Sequence, residues 1–112
     1  MRKNPEIFLR HILESIKEIE NYTKRISKAG FSRDVKTQDA VVRRMEIIGE
    51  AVKNLPKDFK KKHPEISWQE IAGMRDMLIH EYFGIDFNIV WRTVKKDIPQ
   101  LKKNTLELLK KV

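Results

Sequence analysis

The chain has 112 residues with 24 Lys and Arg against 16 Asp and Glu, a net charge of +8. It has no cysteine, which excludes disulfides, thiolate zinc sites and a cysteine nucleophile. No apolar run nears the length of a membrane span and no apolar signal region follows Met1, so a soluble cytoplasmic protein is expected, folded as one domain over 1–112.

The helical period runs throughout, and four Gly and four Pro punctuate it. Asn4 and Pro5 predict the start of a first helix, along which Phe8, Ile12, Ile16, Ile19 and Ile26 recur at helical spacing. Gly30 is expected to stop that helix in a left-handed conformation. Asp34 or Thr37 caps a second helix carrying Ala40, Val41, Ile47, Ile48, Ala51 and Val52, which ends near Leu55 and Pro56. Residues 57–63 predict a short basic helical turn closed by Pro64.

A third helix is expected from Ser67, with Ser67 and Glu70 as a capping box, Ile66 stapled to Ile71, and an end before Gly84. Asp86 caps a fourth helix holding Phe87, Val90, Trp91 and Val94. Pro99 interrupts it, and Leu101 to Leu109 form a last helix. Four to five helices with short connections predict an all-α, antiparallel bundle.

The basic charge suits a polyanion such as RNA, and it suits an acidic protein partner equally. Lys-rich stretches at 57–62 and 102–111 carry much of it, and such stretches are commonly plain solvated helix faces. Of the three histidines, His11 and His63 read as structural or exposed. Glu46 and Glu50, four apart, do not complete a metal-ligand set.

The third helix holds the chemistry. Metal-free RNA cleavage needs a group to take the 2′-hydroxyl proton, a cation for the charge on phosphorus, and an acid for the leaving 5′-oxygen. Histidine suits proton transfer near neutrality, and arginine's fork of donors suits phosphate. Arg75 and His80 supply both within six residues, and Tyr82 adds a hydroxyl and a stacking face.

On an ideal helix at about 100° per residue, Met74, Arg75, Leu78 and Tyr82 lie within roughly 60° of Ile71, on the apolar face. His80 falls on the far side beside Asp76, whose carboxylate, four residues back, is placed to fix the imidazole tautomer. One straight helix therefore splits the motif. Either the helix unwinds near His80, or a symmetric dimer joins two copies in one cleft.

The pattern Arg75-x4-His80-x-Tyr82 resembles the RX4HXY signature of HepT-type toxins in the HEPN superfamily. Ile47 to Ala51 resembles that family's second-helix signature, Ile66 to Ile71 its tryptophan-bearing entry to the motif helix, and Asp86 to Trp91 the segment that follows. The resemblance implies a HEPN helical bundle, a homodimer with facing motifs, and a metal-independent endoribonuclease needing no cofactor, with Arg75 and His80 catalytic. It also implies a cognate minimal nucleotidyltransferase antitoxin of the MNT kind, which silences the toxin by adding AMP to the motif tyrosine, Tyr82. Asp76 departs from the Asn that many HEPN proteins carry, and the first helix opens on Asn4-Pro5-Glu6. The competing reading is a non-catalytic HEPN module that binds nucleotide or RNA, or docks the nucleotidyltransferase.

Overall fold

The computed structural model describes residues 4–74, 79–80 and 84–112, with backbone alone at 79, 80 and 85. Helix α1 spans Pro5–Thr23, α2 Lys28–Ser32, α3 Val35–Asn54, α4 Lys57–Lys61 and α5 Trp68–Ala72. A two-residue antiparallel pairing of β1 (Ile79–His80) with β2 (Gly84–Ile85) follows. The last helical run comprises α6 (Phe87–Arg92), a π-helical turn (Thr93–Asp97) and α7 (Ile98–Lys111). The architecture is an all-α bundle built on α1, α3 and this last run.

Local chemistry sets the helix starts. Asn4 accepts from the Glu6 amide at 3.0 Å, Asp34 from the Thr37 amide at 3.0 Å and Asp86 from the Asn88 amide at 3.1 Å. Each bond satisfies an amide that has no partner within its helix. Packing then selects one face per helix. Leu9, Ile12, Ile16 and Ile19 of α1 are buried with Val41, Met45, Ile48 and Val52 of α3 and Ile98, Leu101 and Leu108 of α7. The spacing of three and four residues puts each set on one stripe. Burying a side chain of this size contributes about 1.5–3 kcal/mol. The buried threonines are satisfied within their helices, Thr23 donating to the Ile19 carbonyl at 2.8 Å and Thr105 to the Leu101 carbonyl at 2.7 Å.

Gly30 does not stop α1. That helix ends at Thr23, and Gly30 sits inside α2, where its amide donates to the Ser27 side chain at 3.1 Å. Ser27 starts a new turn, and Phe31 swings fully into the core against Trp91, ring centroids 5.2 Å apart. Gln38 of α3 then donates to the Phe31 carbonyl at 2.7 Å, locking α2 onto α3.

The interruption expected at Pro99 takes the form of a π turn rather than a break. Proline lacks the amide and its ring crowds the carbonyl four residues earlier. The Ile98 amide accordingly reaches five residues back, to Thr93. The widened turn keeps the last run continuous. Lys102 of α7 meets Glu20 of α1 at 3.0 Å on the surface, a pair that adds little stability but matches the two helices in register.

Candidate functional site

Two short elements, α4 and α5, carry the chain to the motif. The α4 turn is tied to α3 by Lys60, whose ammonium donates to the Val52 carbonyl at 3.2 Å. The Trp68 indole N–H at the start of α5 donates to the Lys60 carbonyl at 3.2 Å and the His63 carbonyl at 3.0 Å. Phe59 lies between, 4.9 Å from the His63 ring and 6.3 Å from the Trp68 ring. Trp68 therefore pins the first turn of α5 to the loop before it, a packing role with a polar handle. The capping box expected at Ser67 and Glu70 is not formed, since the Ser67 side chain makes no cap bond. The backbone amide of Trp68 instead donates to the Ile66 carbonyl at 2.9 Å.

The far end of α5 packs on α3. Gly49 of α3 is buried, and a Cβ placed there would lie 3.1 Å from the Ala72 carbonyl oxygen and 3.5 Å from that of Ile71. Met74, the residue before Arg75, is buried at 8% exposure. The motif thus begins from a chain held on both sides, by Trp68 and by α3.

The helix expected to end before Gly84 is not helical at residues 79 and 80, in keeping with the alternative in which it unwinds near His80. His80 lies in β1, paired with Gly84 of β2, and Ile79 pairs with Ile85. Gly84 has φ +80°, the left-handed region that glycine enters without a Cβ penalty. Ile79 is β-branched and suits extended backbone, and Gly84 supplies the left-handed conformation beside it in the pairing. The wheel geometry that set His80 opposite Arg75, and the helical four-residue contact between Asp76 and His80, do not apply to an extended backbone at His80. Arg75, Asp76 and Tyr82 lie outside the described residues, as does the His80 side chain.

Two cavities flank this region. One, of about 510 Å³, has a floor of Ile66, Met74 and Leu101 and a rim that includes Glu65, Glu70 and Asp97. The other, of about 570 Å³, lies between α1 and α3 and ends at Ala72, with His11, Arg43, Glu46, Glu50 and Lys53 among its walls. His11, expected to be structural or exposed, is exposed, and it lies beside Phe8, rings 6.4 Å apart edge to face, in the same cavity as Glu46 and Glu50. Among the described residues no three such side chains stand close enough to hold a metal ion. Nor is any described helix long and apolar enough to cross a membrane.

Comparison with known proteins identifies the scaffold. A family model described as "Ribonuclease HepT-like" matches residues 12–108. The chain is 54% identical over 102 residues to the "Probable ribonuclease HepT" of Thermococcus cleftensis, covering 91% of this chain and 93% of that protein. It is 50% identical over 109 residues to a "Putative RNase" of Caldanaerobacter subterraneus, covering 97% of each. It is also 52% identical over 112 residues to a "Gamma-glutamylcyclotransferase and putative RNase" of Methanocaldococcus jannaschii, and it spans only half, 50%, of that longer protein. No solved structure matches the chain. With a family match over most of its length, the chain belongs to the HepT-like ribonuclease family.

Proposed function

We propose that the chain is a metal-independent endoribonuclease, the toxin of a HEPN/MNT toxin–antitoxin pair acting in the cytoplasm, with Arg75 and His80 catalytic in a cleft between two copies. The observation that carries this reading is the motif Arg75-x4-His80-x-Tyr82 standing inside the segment matched by the ribonuclease family. The pairing of His80 with Gly84 supports it, because it removes the helical geometry that kept His80 away from Arg75.

In this mechanism His80 takes the proton of a ribose 2′-hydroxyl. The 2′-oxygen attacks phosphorus, the bond from phosphorus to the 5′-oxygen breaks, and the leaving oxygen takes a proton. Arg75 binds the phosphate oxygens as charge builds on them. Tyr82 both stacks on a base and serves as the acceptor when the nucleotidyltransferase partner adds AMP.

The test is RNA cleavage in the presence of a chelator. Wild-type protein cleaves, and His80→Ala and Arg75→Ala each lose at least about 10²-fold in rate, as loss of a proton-transfer or charge-stabilising group entails. Their melting temperatures stay near wild type. Unchanged cleavage by His80→Ala would sink the assignment.

A further inference from the structure

We propose that Gly49 is a positioning residue for the motif. The missing side chain lets α3 hold the last carbonyls of α5 at close range, and so fixes where the chain enters residues 75–83. Three observations meet here. Gly49 lies in the interior of the 20-residue helix α3, where alanine is the better helix former. Its φ is not positive, so no backbone conformation demands glycine there. A Cβ at Gly49 would approach the Ala72 carbonyl oxygen to 3.1 Å, tighter than ordinary van der Waals contact and against backbone that cannot rotate away.

The crowded atom sets the consequence. It is the carbonyl oxygen of Ala72, three residues before Arg75 along the chain, with the Ile71 carbonyl beside it in ordinary contact at 3.5 Å. Relief requires α5 to move off α3 by a few tenths of an ångström. The other end of α5 cannot yield freely, because the Trp68 indole is bonded to two carbonyls. The displacement therefore passes forward, through buried Met74 into the motif. Catalytic geometry tolerates little of this, since misplacement by about 1 Å can cost 10²-fold in rate.

Gly73 is the control that separates this from mere proximity. It stands two residues from Arg75, yet among the described residues a Cβ there would meet nothing nearer than the Gln69 carbonyl at 3.5 Å, an ordinary contact. Its φ of −89° suits any residue. The glycine next to the motif is thus the one expected to accept a side chain, and the one 26 residues before Arg75 is not.

The functional readout rests on the ribonuclease reading; the structural readout does not. Gly49→Ala and Gly73→Ala are made in the full chain and compared by RNA-cleavage kinetics, melting temperature and backbone amide NMR. For Gly49→Ala we expect kcat to fall about tenfold with KM within about twofold, since orientation rather than binding is lost. Its melting temperature stays within about 4 °C of wild type, while the amide signals of Met74, His80 and Gly84 shift. Gly73→Ala leaves kcat and those signals unchanged. Wild-type kcat and signals in Gly49→Ala, or an equal loss in Gly73→Ala, overturns the proposal. So does a Gly49→Ala chain that fails to fold, which would make Gly49 a stability residue. If wild-type protein cleaves no RNA, the ribonuclease reading fails alone, and the amide signals still decide the role of Gly49.

Discussion

The Asp34 carboxylate begins α3 by accepting two hydrogen bonds from Thr37, 2.6 Å from its hydroxyl and 3.0 Å from its amide. The hydroxyl bond first, then the amide bond, hold its pKa below the ordinary 3.8 against the opposing effect of desolvation, with a lesser contribution from nearby Lys36. The folded-state pKa is depressed, so the cap contributes stability above the unfolded value and loses it as pH falls through the folded one. Thermal melts of wild type and Asp34→Ala should therefore differ at neutral pH, with wild type higher. The gap should close as pH falls below about 4. A gap that persists unchanged at low pH would mean that the ionised cap is not its source. The same residue scale explains why Asn4, Asp34 and Asp86 were legible in the sequence. A cap is a bond between a side chain and an amide two or three residues on, so a short stretch of sequence contains both partners.

At the scale of elements, legibility depended on whether the deciding contact was local. The apolar stripes of α1, α3 and α7 follow directly from residue spacing, and they account for the bundle. Gly30 was misread because a glycine after an apolar stripe marks an end, whereas Ser27 three residues earlier had already capped a new helix. The segment from Ile71 to Tyr82 keeps a helical period, and nothing local forbids a helix before Gly84. The extended pair at Ile79 and His80 is set by a partner strand, which periodicity cannot reveal. Gly49 was legible only as part of a resemblance; its contact with Ala72 is between elements.

Trp68 belongs to this scale too, since its indole joins α5 to the loop after α4. Trp68→Phe keeps most of the ring packing but removes the donor. One lost bond to a partly buried carbonyl costs about 1–2 kcal/mol. The midpoint of urea unfolding should drop accordingly with an unchanged slope. An unchanged midpoint would show that the indole bonds do not hold α5.

At the scale of the whole molecule, the case for a dimer has changed its footing. A straight helix keeps His80 apart from Arg75, which left either an unwound helix end near His80 or a second subunit to join them, and the backbone at His80 is not helical. What remains is the burden of the site itself. The charge of +8 is spread over a chain of 13.3 kDa, so a phosphate-binding cleft must concentrate arginine that like-charge repulsion and desolvation disperse. Two facing copies of the motif double the cations at the cleft, and bound RNA then neutralises them. This predicts a dimer of twice 13.3 kDa in sedimentation equilibrium, and a specific RNA-cleavage activity that falls on dilution in step with the dimer fraction. Added salt should weaken RNA binding steeply, since each neutralised phosphate releases counterions. It should leave the dimer largely intact if apolar contacts hold it, because screening acts on exposed charges and not on buried apolar area. Full specific activity at concentrations where the protein sediments as a monomer would place a complete site within one chain and remove the second subunit from the mechanism.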